Sequence, residues 1–272
     1  MTTATTYQDV GFLGLGALGS PIAANLLASS VKLAVWNRTP GKADALVAQG
    51  ATLAREPAQA ITRGGIVFTI LWDDASLEDI AGHPAFLGAL GPGGVHVSMT
   101  TVTPATARRM AELHARHGSA YVEAPIFGVP TQAVARQLIV CLAGPAAAKA
   151  RVRPLLEAMG GERVVDFGEQ IGAGTATKLV GNFMIISGFV AMREAFDVLQ
   201  KSGVDPKPTF DLLTTTLFAT PSHKRYAEAL VRGVRPTSAI PRKDIGLFER
   251  FAEAVGADAS LAEEVRTIVE RE

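Results

Sequence analysis

The chain has 272 residues, 48% hydrophobic and 19% charged, which is enough for a buried core in one large domain or two small ones. Lys plus Arg and Asp plus Glu each number 26, so the net charge is zero; no basic face for nucleic acid and no polybasic segment for a membrane surface is visible. The single cysteine, Cys141 in the apolar run LIVCLAG, excludes an internal disulfide and fits a reducing, cytoplasmic setting.

No uninterrupted apolar run approaches the ~20 residues of a membrane span, and MTTATTYQD lacks the charged start and apolar run of a signal peptide. The five histidines are dispersed, with no paired cysteines and no H-E-x-x-H, so no metal site is expected.

Up to about residue 168, short apolar strands alternate with helical stretches. Strands are expected at Val10–Leu15, Lys32–Trp36, Ile66–Leu71, Val95–Ser98, Ala120–Glu123, Gln137–Leu142 and Arg163–Phe167, with helical runs such as Ser20–Ala28, Gly41–Gln49 and Pro104–His117 between them. That alternation points to a doubly wound, mainly parallel sheet whose ligand crevice lies at the carboxyl ends of its strands. Those ends carry Trp72-Asp73-Asp74, Thr100-Thr101-Val102-Thr103 and Ala124-Pro125-Ile126-Phe127-Gly128.

After Gly172 no convincing strand follows. A long helix is expected from Gly174 to Ser202, ending on Lys201-Ser202-Gly203, a cationic last turn and a terminal glycine. Shorter helices are expected at Lys207–Thr215, Ser222–Val231, Lys243–Val255 and Leu261–Arg271. Gly174, Gly181, Gly188 and Ala195 recur every seven residues on the long helix and read as a packing seam, within the subunit or across a dimer. The expected organisation is thus an α/β domain over residues 1–170 and an all-helical domain over 171–272.

The first strand runs into Gly14-Leu15-Gly16-Ala17-Leu18-Gly19, a G-x-G-x-x-G placed between strand and helix. Gly14 allows the sharp turn, Gly16 lets backbone approach a pyrophosphate, and Gly19 lets the helix pack closely on the strand. The phosphates would sit on the free N–H groups at the helix start. An NAD-preferring site usually places Asp or Glu about 20 residues after the glycines, on the ribose 2′-hydroxyl. Here the second strand ends Trp36-Asn37-Arg38-Thr39, with no acid. Asn37 can donate to a 2′-phosphate and Arg38 can grip it as a charged fork, so NADP is favoured. Thr39 before Pro40 is also a good helix start.

Lys178 and Asn182 stand four residues apart near the start of the long helix, on one face. A lysine beside a nicotinamide can give a proton to a carbonyl oxygen as hydride reaches the carbon, and take it back in reverse. Asn182 can bond the same oxygen or hold the lysine. On spacing alone, a solvated lysine on an amphipathic helix is the simpler reading.

The ordered set GLGALGSPIAANL, NRT, MTTVTP, EAPIFGVP, the G-x-G-x-x-x-K-x-x-x-N run from Gly172 to Asn182, and Lys243-Asp244 resembles the β-hydroxyacid dehydrogenase family over nearly the whole chain. The resemblance implies an N-terminal Rossmann domain, an all-helical C-terminal domain, and usually a homodimer or homotetramer. It implies that Lys178 is catalytic with Asn182 as its substrate-binding companion, and that Thr101 lies by the nicotinamide. It places Lys243 over cofactor or substrate, oriented by Asp244, and Leu71 and Trp72 along the NADP(H) site.

The family's substrate loop commonly reads Asp-Ala-Pro-Val-Ser-Gly-Gly, whereas this chain has Glu123-Ala124-Pro125-Ile126-Phe127-Gly128-Val129-Pro130. Among the substrate-binding candidates Pro125, Ile126, Phe127 and Gly128, Phe127 replaces the serine. A hydroxyl donor is lost and an aromatic face gained, which favours a bulkier or less polar carbonyl. Imine reductases share the architecture but typically replace the helix lysine, and a catalytically silent NADP-binding module would be expected to lose it. This chain keeps it.

Overall fold

The computed structural model describes residues 9–234 and 239–271. The chain divides between Lys178 and Leu179 into two compact units.

The first unit is α/β. In chain order it contains β1 (Val10–Leu13), α1 (Gly19–Leu27), β2 (Leu33–Trp36), α2 (Asp44–Val47), β3 (Thr52–Leu53), β4 (Ile66–Thr69), α3 (Asp74–Ala81), α4 (Pro84–Leu90), β5 (Val95–Ser98), α5 (Pro104–Arg116) and β6 (Ala120–Glu123). Then follow β7 (Ile126–Phe127), α6 (Pro130–Val134), β8 (Leu138–Leu142), α7 (Ala146–Ala158) and β9 (Gly161–Asp166). The first six strands form one parallel sheet in the order β3-β2-β1-β4-β5-β6. The order reverses between β1 and β4, the place where such sheets open a ligand crevice at their carboxyl ends.

Side-chain alternation explains why the sheet is covered on both faces. Val10 and Phe12 of β1, Ile66 and Phe68 of β4, and Val95 and Val97 of β5 join one core cluster with α1 and α7. Leu13 and Val67 point the other way, into a second cluster with Leu77, Phe86, Leu90 and Met110 of α3, α4 and α5.

The structure differs from the expected sheet at its far edge. Residues 138–142 and 161–166 do not extend the parallel sheet. They form a separate three-stranded sheet, β7-β8-β9, in which β7 runs antiparallel to β8. Among the described residues an isolated antiparallel bridge, Glu123 to Ala143, joins the two. The two-residue strand β7 is what turns the chain, and two residues carry no readable alternation. The run Gly41–Gln49 is also shorter than expected, a 3₁₀ turn over Pro40–Ala43 followed by one turn of α-helix.

The second unit is all-helical: α8 (Ala173–Lys201), whose first turns belong to the first unit, then α9 (Pro206–Thr215), α10 (Pro221–Val231), α11 (Ala239–Ala254) and α12 (Ser260–Glu270). The division falls later than residue 170 because Gly174 seats α8 on the first unit; a β-carbon there would lie 2.7 Å from the Cys141 carbonyl oxygen. Farther along, Ile186 and Val190 of α8 pack with Ile245, Val265 and Val269. Met192 and Phe196 pack with Phe210, Ala227 and Leu230. Gly188 passes close to His223, so the small-residue stripe is a packing seam inside the chain at two of its positions. Among the described residues α8 is the one helix long and apolar enough to cross a membrane. It buries Lys178 and Asn182 and packs apolar side chains into two clusters, while Val180, Met184 and Val198 stay exposed.

Candidate active site

The glycine turn follows β1 at the reversal of strand order. Gly14 has φ +104°, and a β-carbon there would collide with the Ile70 carbonyl oxygen. At Gly19 a β-carbon would collide with the Gly14 carbonyl oxygen and lie 2.9 Å from Ile70 Cγ2, so α1 can approach β1 only with glycine there. Gly16 is exposed and faces open space within 4 Å. Those are the properties that a strand-turn-helix phosphate cradle requires. Ala17 is exposed and Leu18 half-buried at the helix start. No side chain caps α1 and no acid stands in its first turn. The helix start is therefore suited to an anion.

Leu15 and Asn37 are bonded to each other across the turn. Leu15 is buried in the core, and its N–H donates to Asn37 Oδ1 at 2.8 Å. Asn37 Nδ2 in turn donates to the Thr39 carbonyl at 2.9 Å. Asn37 thus braces the glycine turn against the end of β2 with its oxygen and one amide hydrogen. Arg38 and Thr39 are exposed beside it. Thr39 occupies the N-cap position before Pro40, but its side chain makes no cap bond.

The next two loops are tied together. Leu71 N–H donates to Thr100 Oγ1 at 2.9 Å, and Asp74 Oδ1 accepts from Thr103 N–H at 2.8 Å. Thr101 is half-buried between these anchors, and Trp72 is 50% exposed. The anchoring residues Thr100, Thr103 and Asp74 were not legible as partners, since their bonds span 29 residues.

At the end of β6, Glu123 is buried and accepts from Gly172 N–H at 2.7 Å, Thr175 N–H at 3.2 Å and the Thr175 hydroxyl. It holds the start of α8, where a carboxylate also faces the positive end of the helix dipole. Burial pushes its pKa up, against the pull of those donors. Lys178 lies one turn farther on. It is 8% exposed, and its Nζ stands over the Phe127 ring, 4.1 Å from the centroid. Burial raises the nearby Cys141 thiol to about 11, while the Lys178 charge pulls it down.

Of the expected substrate-loop residues, Phe127 is half-buried and Gly128 follows with φ +152°. Pro125 and Ile126 are both buried. Ile126 is 5% exposed in the sheet core, and the Pro125 carbonyl accepts from Cys141 N–H at 2.9 Å. The antiparallel pairing of β7 with β8 sends Ile126 inward and Phe127 outward.

In the second unit, Asn182 Nδ2 donates to Asp244 Oδ2 at 2.6 Å, both residues being buried. Lys243 Nζ forms an ion pair with the other carboxylate oxygen at 3.0 Å. Asp244 therefore fixes both neighbours. Among the described residues no group of three or more His, Cys, Asp or Glu side chains is placed to hold a metal ion.

Residues 9–168 match the family described as the NAD binding domain of 6-phosphogluconate dehydrogenase. Residues 172–271 match the NAD-binding family of NADP-dependent 3-hydroxyisobutyrate dehydrogenase. Glyoxylate/succinic semialdehyde reductase 2 of Arabidopsis thaliana is 31% identical over 271 residues, covering 96% of this chain and 75% of the plant protein. The chain belongs to the β-hydroxyacid dehydrogenase family.

Solved structures agree. Mycobacterium tuberculosis 3-hydroxyisobutyrate dehydrogenase superposes with a TM-score of 0.85 at 26% identity, covering 98% of this chain and 94% of that one. A reductive aminase from Aspergillus terreus, solved with NADPH and ethyl levulinate, gives a TM-score of 0.69 at 25% identity, covering 98% and 93%. As a β-hydroxyacid dehydrogenase family member the protein is an NAD(P)-binding oxidoreductase, and the glycine cradle described above fits that dinucleotide.

Proposed function

We propose that the protein is an NADPH-dependent reductase that acts between a carbonyl and its alcohol, with Lys178 as general acid in reduction and general base in oxidation. The observation that carries this reading is the buried Lys178 Nζ, on a helix whose start is pinned by Glu123. Bound NADPH supplies the hydride. Lys178 gives the proton to the carbonyl oxygen, and Asn182, one turn along the helix and steadied by Asp244, is its substrate-binding companion. Thr101, Leu71 and Trp72 border the nicotinamide, and Lys243 contacts cofactor or substrate.

NADP is preferred over NAD because the end of β2 offers Arg38 and no carboxylate. Phe127 provides no hydroxyl for a short carboxylate, so a larger or aromatic aldehyde or keto compound is preferred over glyoxylate. The setting is cytoplasmic. The assembly is a homodimer or homotetramer, supported by exposed Val180, Met184 and Val198 along α8, and light scattering reads it directly.

A second reading, imine reduction, is favoured by the likeness to the Aspergillus reductive aminase, and retention of Lys178 weighs against it. Retention of both the glycine turn and Lys178 weighs against a silent cofactor-binding module.

The test is NADPH oxidation over glyoxylate, succinic semialdehyde, larger aldehydes, keto acids and cyclic imines. Lys178→Ala is expected to lose about 10²–10⁴-fold in turnover on the best carbonyl while still binding NADPH. Near-native turnover in that variant would move the proton donor elsewhere, and activity on imines alone would select the second reading.

A further inference from the structure

Phe127 stands where the family commonly has a serine, and its ring has an occupant: Lys178 Nζ, 4.1 Å from the centroid. The ring is held from both sides in sequence. Before it, β7 pairs with β8 so that Phe127 lies opposite Ile139. After it, Gly128 takes a positive φ, and a β-carbon there would strike Leu138. Val129 N–H then donates to Gln132 Oε1 at 3.1 Å as α6 begins. Lys178 is equally constrained, since Glu123 fixes the first turn of α8 and Gly174 seats it on β8.

An aromatic face is the negative end of a quadrupole, and its attraction for a cation strengthens as water is removed. With Lys178 only 8% exposed, the contact lies in the stronger part of that range. A serine in place of Phe127 could accept a hydrogen bond from the ammonium or donate one to the neutral amine, whereas the ring face attracts only the cation.

We infer that Phe127 is a positioning residue for Lys178: its ring face holds the amine as an ammonium aimed for proton delivery, a task added to its part in substrate choice. The inference rests on the proposed acid–base role of Lys178. The titratable groups around the amine in the first unit are the Cys141 thiol on β8 and the Glu123 carboxyl on β6. One turn along α8, Asp244 and Lys243 are gathered at Asn182 in the second unit. None of these carries a face that the Phe127 substitutions remove.

The experiment compares the native protein with Phe127→Leu, Phe127→Tyr and Lys178→Ala. In Phe127→Leu the volume is nearly kept and the π-face is lost. The basic limb of kcat/KM for reduction should move to lower pH by about 0.4 to 1.5 units. The acidic limb for alcohol oxidation should move down with it, because both limbs report the same amine. Phe127→Tyr, which keeps the face, should restore both limbs.

A second readout needs no turnover. In protein carrying ¹³C-labelled lysine, the ε-carbon signal missing from Lys178→Ala identifies Lys178, and its titration should shift down in Phe127→Leu alone. A uniform drop in rate with unmoved limbs and an unmoved NMR titration would overturn the inference and leave Phe127 a wall of the site. Full activity of Lys178→Ala would instead remove the proposed function, and the NMR titration would still decide whether the ring holds the ammonium.

Discussion

On the proposed reading, Arg38 is the side chain on which cofactor choice turns. It is exposed at the end of β2, next to an Asn37 whose amide oxygen and one amide hydrogen are engaged in bracing the glycine turn. A 2′-phosphate at that strand end would meet the Arg38 fork, the Thr39 hydroxyl and no carboxylate. Arg38→Ala is therefore expected to raise the NADP dissociation constant roughly ten- to hundredfold and to leave NAD nearly unchanged, as cofactor fluorescence titration would read. Equal native affinity for the two cofactors would defeat the argument. The structural roles of Gly14 and Gly19 were legible because each depends on local spacing and on the absence of a β-carbon. The bracing role of Asn37 was not, since its partner is a backbone N–H 22 residues earlier.

At the scale of elements, α8 carries the proposed proton donor, and Glu123 is what fixes its start. The helix itself was readable from periodicity and its terminal Lys-Ser-Gly. Its anchor was hidden, because the three donors on Glu123 come from residues 49 and 52 positions away. For the same reason the composition change near residues 168–172 precedes the observed division at 178: the early turns of α8 are helical in sequence but packed on β8. Glu123→Ala would leave buried N–H groups of Gly172 and Thr175 without an acceptor, at a cost on the order of 3 kcal/mol. Because Lys178 stands one turn beyond, a displacement of about 1 Å can cost up to ~10²-fold in turnover. Urea unfolding and kcat measured together should both fall, with Glu123→Gln affected less. A Glu123→Ala protein of native turnover would show that the helix start is held by other contacts.

At the scale of the whole chain, stability should carry an acid limit set far from the candidate site. His96 and His114 are completely buried on the face of the sheet covered by α4 and α5, beside Phe86 and Tyr121. The Ser119 hydroxyl donates to the His114 carbonyl, so His114 Nδ1–H must donate to Ser119 Oγ at 2.9 Å. With neutral rings, His96 Nδ1–H then donates to His114 Nε2, and the Thr69 hydroxyl donates to His96 Nε2, each at 2.9 Å. Every contact is satisfied with one proton per ring; a second proton on His114 would face the His96 Nδ1–H, and one on His96 would force the Thr69 hydroxyl to turn from donor to acceptor. Burial lowers His114 to about 4, helped by the charge of His117, and holds His96 well below its usual value.

Unfolded histidines titrate near 6.5. Above that pH both states are neutral and the network contributes fully. As pH falls below it, only the unfolded chain takes up protons, and stability drains away down to pH ~4 for His114 and lower for His96. For His114 alone the loss is on the order of 3 kcal/mol. The thermal midpoint should thus be flat from pH 8 to 7 and drop steeply between 6 and 4.5. In His114→Gln the midpoint should start lower at pH 7.5, because Ser119 and His96 lose a partner, but its fall with acid should be visibly shallower. An equally steep fall in that variant would place the acid sensitivity in other groups.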